Sequence, residues 1–534
     1  MDMVTGWTGS TACALQAALR LSNETFAAQL GVGVRTVASW HQKPGLRPRP
    51  EMQQLLDTVL TKASASARER FAVLAGVPGE AGTNPPEADA GAGDDGAAAE
   101  AEHRLIADQN ISSALSQLDE LAGWEPGTAR SQVAARLARL DRRYLLDRAS
   151  RRKRVGQRRM AQALGEYYRG QVTGYGRYGA HCGQDGNVVT SVLTHPDWLD
   201  LDCPLTAGHD RLTLDGAAGG AVPLDKETAD AAAQRLAETL AANTRFVDSP
   251  LYRLVAVSMG KGQITGSLAI TRFATYALTL DLLEGELTDA LTAGIAPQPG
   301  SLPLRDRYLP DLASVLDVAG RLCAGGALAL CAFARPASLY QDHADYVLLV
   351  QERSGSVINA AGQLAVIPKG FHEPMTDFRN DAKIAATLVR EMEEELFGRE
   401  DTDSTLAGPH AAAPMHPSRL SEPMRWLTDN PGTFRMECTG FGLNLVSGNF
   451  EFAGLIVIDS DEFWYRYGGQ IEANWESSAL RQYSSLDREG LAALAGDDAW
   501  SNEGLFTFLQ GLRRLKQIGG DRVAIPAVDW RVQP

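Results

Sequence analysis

Glu391, Glu394 and Glu395 stand at i, i+3 and i+4 in "VREMEEELFG", the stretch from Val389 to Gly398. On a helix, that spacing puts three carboxylates on one face. Like charges so placed repel unless a cation lies among them. A hard ion such as Mg²⁺ (or Mn²⁺) prefers carboxylate oxygens and leaves room for substrate phosphates, so the trio is a candidate metal-binding and catalytic set. Arg390 precedes it and can brace a carboxylate. The opposite face offers Ala385, Leu388, Met392 and Leu396 to a core. The plainer reading stays open beside it: most acidic runs are solvated helical faces.

Strands must hold such a helix in place. "ALALCAFARP", starting at Ala327, "DYVLLVQERS" and "QLAVIPKG" read as consecutive strands of one sheet, and a helix follows from about Asp381 to Phe397. Further strands, "TGFGLNLVSG" and "FEFAGLIVIDS", precede a closing helix, "SNEGLFTFLQGLRRLKQI". The order of strand, strand with glycine loop and acidic helix resembles a Nudix domain. The signature of that family is a glycine-started loop leading into a helix with R-E-hydrophobic-x-E-E. "REMEEEL" matches it at every charged position, and Gly370 serves as the loop glycine.

The resemblance implies that Glu391, Glu394 and Glu395 ligate the metal, with Glu391 a candidate to activate water and Arg390 holding the acidic face. The backbone at Lys369 or Gly370 would add a carbonyl. His372 would either touch a ligand phosphate or cap its own turn. Two departures stand out. The loop from Gly370 to Arg390 is longer than usual, and no glutamate stands shortly before the helix, where Asp377, Asp381 or Glu373 could substitute. The glycine that usually closes the signature is Phe397 here, with Gly398 one place later. Glu503, in "WSNEGLF", is either a distal ligand or an ordinary helix-start glutamate.

A second constellation lies near the start, in "ALRLSNETFAAQLGVGVRTVASWHQK", which ends at Lys43. Ser22 can cap a helix with Glu24 in its first turn and Phe26, Ala27 and Leu30 facing inward. Gly31 turns the chain into a second helix, with Val34, Val37 and Trp40 as core positions. Over about residues 12–62 the segment resembles the helix-turn-helix of phage-repressor-like (Cro-type) bacterial regulators. That resemblance implies DNA binding through the second helix: Arg35, Thr36 and Ser39 toward bases or phosphates, and His41, Lys43, Arg47 and Arg49 toward the backbone. Binding of double-stranded DNA by such modules usually takes a homodimer. A small helical protein-binding module is the alternative.

The whole chain has 534 residues, 44% hydrophobic and 22% charged, with a net charge of −15. An acidic protein contacts DNA only through a locally basic module. No stretch approaches a membrane span, and "MDMVTGWTGS" lacks a signal-like start. Six cysteines without a C-x-x-C pair predict a reduced, cytoplasmic chain.

The expected organisation is multidomain: an all-α helix-turn-helix domain (1–76), a flexible Pro/Gly/acid-rich tether (77–103), and a helical connector (104–173) with one long basic helix from about Thr128 to Gly170. An α+β middle region without a legible role (174–315) and an α/β/α Nudix-like domain (316–534) follow. "RRKRVGQRR" (Arg151–Arg159) would touch DNA phosphates or pair with acidic neighbours. His181–Cys182 and Lys261 carry weaker signals for a metal and a phosphate loop; a hairpin turn is the better reading of Lys261.

Three functions fit. One is a transcriptional regulator whose Nudix-like domain senses a nucleotide-type ligand. The second is a Mg²⁺-dependent hydrolase of nucleoside diphosphate derivatives, and the third a non-catalytic assembly scaffold.

Overall fold

The computed structural model describes residues 7–19, 21, 26–27, 30, 32, 34–43, 46–62, 71, 101–102, 105, 109–183, 186–215, 223–242, 244, 246–338, 341–354, 361–399, 414–471, 474 and 477–533. The chain divides into two compact units, residues 1–89 and 90–534. The tether expected over 77–103 lies outside the described residues, apart from Ala101 and Glu102.

The first unit is helical. Its described helices are α1 (Gly9–Leu19), α2 (Val34–Gln42) and α3 (Pro50–Lys62). Phe26, Ala27, Leu30, Val37 and Trp40 are buried together, as their spacing predicts. Phe26 meets Trp40 edge-on at 6.4 Å. Ser22, Glu24, Gly31 and the side chains of Val34 and Arg35 lie outside the described residues.

The second unit begins with helix α4 (Gln109–Ala122), which buries Ile111, Leu115, Leu118 and Leu121 along one stripe. The single basic helix expected after it is three: α5 (Thr128–Arg139), α6 (Arg142–Lys153) and α7 (Gln157–Tyr167). The first break is a cap. Asp141 is extended and accepts from the Arg143 N–H, an alternative to continuing the helix. At the second, Gly156 is extended and lies so close to Asp498 that a Cβ would fall 1.7 Å from its carboxylate. A periodic pattern of basic residues cannot reveal either interruption.

The strands are β1 (Gly176–Cys182), β2 (Gly186–Thr194), β3 (Leu199–Pro204), β4 (Asp210–Leu214), β5 (Pro250–Gly260), β6 (Gln263–Arg272), β7 (Gly325–Arg335), β8 (Asp345–Arg353), β9 (Leu364–Val366), β10 (Lys369–Phe371), β11 (Phe434–Asn444), β12 (Phe450–Ile458), β13 (Ser477–Ser484) and β14 (Val528–Gln533). Four further helices bear on the site: α8 (Lys226–Ala241), α9 (Leu282–Thr292), α10 (Ile384–Glu395) and α11 (Glu422–Asp429). A last one, α12 (Asn502–Ile518), closes the chain's core.

The large mixed sheet runs β13-β8-β7-β12-β11-β2-β1-β14, with β9 on β8, β10 on β7 and β3 on β11. β7 and β12 are parallel and buried along nearly their whole length, which suits their unbroken apolar runs. Leu388 and Met392 of α10 share a core with one face, including Ala327, Ala329 and Cys331. Phe506, Leu509 and Leu512 of α12 share another with Leu328, Leu330 and Leu455. A separate sheet, β4-β6-β5, comes from the middle region.

This sheet crosses the boundary expected near 315. β1 and β2 belong to the same ladder system as β7 and β12, and the terminal β14 pairs with β1. Such pairings join segments hundreds of residues apart, so no local pattern records them. The result is an α+β chain, and no helix among the described residues is long and apolar enough to cross a membrane.

Candidate functional sites

Helix α10 starts where Asp210 of β4 accepts the Ile384 N–H at 2.6 Å. Asp210 is a buried cap, and burial pushes its carboxyl up despite the backbone bonds it accepts. In the loop ahead, Asp381 accepts from the backbone N–H groups of Met375, Thr376 and Asp377 at 2.9–3.1 Å. Asp377 caps Arg379 and Asn380. Two of the three acids that could replace the missing glutamate are therefore spent on holding the loop. The third, Glu373, accepts from Ser249 at 2.8 Å and lies 3.4 Å from Arg390.

The glutamates of α10 take different surroundings. Glu391, buried, accepts from Arg390 through Nη2 (2.5 Å) and Nε (3.2 Å). Its carboxylate packs on Gly370, where a Cβ would come within 1.9 Å of Oε1, so only glycine fits there. Glu395 is fully buried: Oε2 accepts the Lys369 N–H at 2.7 Å, and Oε1 lies 3.5 Å from Gln351 Nε2 and 3.9 Å from Arg353. Glu394 is partly exposed. Glu393 is fully buried too. One of its oxygens accepts the Ser421 N–H at 2.9 Å, just before α11, and burial pushes its carboxyl up. The acidic run is thus not a solvated face. Leu388, Met392 and Leu396 are buried, as expected.

Arg390 is more buried than Glu391 and Glu373, the acids it serves. It donates to the carbonyls of Phe371 (3.0 Å) and Glu373 (3.2 Å) as well as to Glu391. Burial alone would lower its pKa, but Glu373, Glu391 and Glu394 raise it and keep it charged. The guanidinium thus braces Glu391, as its place before the acidic run predicts. The Gly370 carbonyl packs on Gly326 of β7, where a Cβ would sit 2.1 Å away. Among the described residues, no three His, Cys, Asp or Glu side chains are arranged to hold a metal ion. Glu391, Glu394 and Glu395 form no such group here.

His372 departs from the phosphate-contact expectation. Its Nδ1 is 2.7 Å from Thr387 Oγ1 and its Nε2 3.1 Å from the Ala382 carbonyl. Both ring nitrogens are used and the ring is fully buried, which pulls its pKa down to about 3 and leaves it neutral. Lys369 is committed as well: Nζ lies 2.5 Å from Glu503 Oε1. Glu503, at the start of α12, also accepts from Asn444 Nδ2 at 3.0 Å. Burial opposes its charge, but Lys369 holds its carboxyl below the ordinary range.

Two carboxyls beside this pair escape a sequence reading. Glu451 of β12 is pushed up to about 8 by burial and by Glu503. Glu284 of α9 is pushed up to about 7 by burial, Asp281 and Glu503. Asp281 is itself paired with Arg235 of α8 at 2.9 Å. Glu451 had a signal, as the one charge in "FEFAGLIVI"; Glu284 in "DLLEGEL" had none.

In the first unit, Trp40 is 2% exposed, so it packs rather than reads. Thr36 and Ser39 are half-buried on α2, and Ser39 donates to the Thr36 carbonyl at 2.7 Å. His41 is exposed, yet its Nε2 lies 2.9 Å from Gln16 Oε1 of α1. Lys43, Arg47 and Arg49 are exposed. The side chain of Arg35 lies outside the described residues.

The basic helix α6 is largely paired with acids. Arg148 meets Glu238 and, at 2.5 Å, Asp289; Arg152 meets Asp289 at 2.6 Å; Lys153 meets Glu352 at 3.1 Å. Lys261 lies in the β5–β6 turn beside Gly262 (φ +77°) and 3.1 Å from Asp202. His181 and Cys182 alternate on β1, one exposed and one buried. Compared with known proteins, the chain matches no family description and no curated relative.

Two outcomes follow. Lys369→Met leaves Glu503 charged and buried, and is expected to cost about 3–5 kcal/mol in denaturant unfolding; adding Glu503→Gln should recover part of that. A double variant no more stable than the single one would show that the pair carries no such energy. Glu451, protonated when folded, adds stability that is complete below its unfolded pKa of roughly 4.3 and is lost as pH rises through about 8. Glu451→Gln should therefore lose less stability than the native chain between about pH 5 and pH 9. Parallel pH profiles would refute the assignment.

Proposed function

We propose that this chain is a cytoplasmic DNA-binding transcriptional regulator whose Nudix-like region senses a nucleotide-type ligand without turning it over. The observation that carries the sensing half is the internal neutralisation of the acidic helix. Glu391 already has a guanidinium, and Glu395 a backbone N–H. A hydrolase needs those oxygens for an ion and its activated water. Glu391 instead serves Arg390 and the turn at Gly370. The DNA half is supported by Lys43, Arg47 and Arg49, exposed next to α2 in a chain of net charge −15. Regulation requires only that the ligand bind one arrangement of the protein more tightly than the other.

The test is genome-fragment capture by the purified full-length chain, with and without a panel of nucleotides. Sequence-selective capture that changes with one nucleotide class and is lost in Lys43→Glu/Arg47→Glu is the expected result. No selective capture would remove the regulator reading. Incubation of the same panel with Mg²⁺ decides the other half. Rapid turnover abolished by Glu394→Gln would replace the sensor with a hydrolase. No thermal shift with any nucleotide or with Mg²⁺ would point to a scaffold.

A further inference from the structure

The large sheet ends at β13 on one side and β14 on the other. Among the described residues β14 pairs with β1 alone; the Val528 carbonyl accepts from Arg513 at 2.8 Å, and the rest of the outer edge has no strand beside it. Edges of this kind are templates for another strand. What sets β14 apart is its sequence. Val528-Asp529-Trp530-Arg531-Val532 reads the same in both directions if the two charges are exchanged.

Side chains alternate along a strand, so these five residues make two faces. Val528, Trp530 and Val532 form the apolar one. Val528 is buried, Trp530 and Val532 are half-buried, and Trp530 Nε1 donates to Asp200 at 2.8 Å. Asp529 and Arg531 form the other face and are exposed, with Arg531 donating to Asn187 at 3.2 Å. In an antiparallel pairing with a second copy centred on Trp530, Asp529 stands opposite the partner's Arg531, and Arg531 opposite the partner's Asp529. Val528 and Val532 face each other on the apolar side. Opposite charges directly across a ladder stabilise it, and like charges destabilise it. β13 lacks this symmetry: "SSALRQYS" carries one charge, Arg481, which pairs with Glu352 at 3.3 Å.

We propose that β14 is a dimer contact, through which two copies of this chain pair edge to edge about Trp530 and continue the sheet across a two-fold axis. The occupant is a second copy because the same patch must serve both sides of an isologous contact, and this patch complements itself. The contact gives the regulator reading a purpose for two DNA-binding modules, but its test needs no DNA.

Light-scattering mass of the full-length chain over a concentration series provides that test. The native chain is expected to be a dimer. Asp529→Arg alone, or Arg531→Asp alone, turns both cross-pairs repulsive and should weaken the dimer about tenfold or more. The double exchange D529R/R531D restores opposite charges and should restore the dimer. A native chain that stays monomeric, single exchanges that leave the dimer intact, or a double exchange that melts like the native chain yet stays monomeric would each overturn the contact.

If a variant does not fold, hydrogen exchange of the native chain decides. Amides of residues 528–532 should gain protection as concentration rises, and no gain overturns the proposal. A β14 dimer without selective DNA capture would remove the regulator and leave the contact standing. Selective capture by a dimer unaffected by these exchanges would do the reverse.

Discussion

Lys369 joins the two sides of the sheet, and the candidate site depends on it. Its backbone N–H donates to Glu395 on α10, while its ammonium meets Glu503 on α12 across the sheet. One residue of the three-residue strand β10 thereby ties two helices together. Charges withdrawn from water persist only when their remaining lone pairs and protons are satisfied. Asn444 does this for Glu503 and Gln351 for Glu395. Glu451 and Glu284 meet the same constraint differently: burial and the charge of Glu503 push both carboxyls up, toward their neutral forms.

The middle region, silent in sequence, shapes this site from the other direction. Asp210 caps α10 and Lys383 donates to the Leu212 carbonyl at 2.7 Å. The Tyr252 hydroxyl donates to the Phe378 carbonyl at 2.6 Å, and Phe371 packs against Phe273 and Tyr276. The loop from Gly370 to Lys383 is therefore held by strands β4 and β5 and the short helix Phe273–Ala277. Its length is taken up by these contacts and by the caps of Asp377 and Asp381. The same packing encloses His372, whose ring nitrogens meet Thr387 and the Ala382 carbonyl.

Much of the site was legible because helical spacing is local. The i, i+3, i+4 glutamates and the buried stripe of Leu388 and Met392 follow from a 3.6-residue period; Arg390 was named from its place beside them, and Gly370 from the resemblance to the signature. Glu393 shows where the period runs out. It looks like one more member of the run, yet it points to Ser421, whose approach no local rule describes. The breaks in the basic stretch were hidden for a related reason. Asp141 and Gly156 interrupt a pattern whose charges continue unchanged, and Gly156 lies against Asp498, more than three hundred positions away.

By itself, the sequence determined the period of each element, the buried positions of Phe26, Val37 and Trp40, and the set of carboxylates brought onto α10. These depend on backbone geometry and on apolar side chains leaving water, both of which act over a few residues. Only the tertiary structure decided what meets Glu393 and Glu395, that burial raises Glu451 and Glu284, and that β1, β2 and β14 extend the sheet that carries α10. The physical reason is that burial and pairing are set by whichever distant groups arrive. At low dielectric, one ammonium brought within hydrogen-bond reach, as Lys369 is to Glu503, outweighs what the neighbouring residues specify.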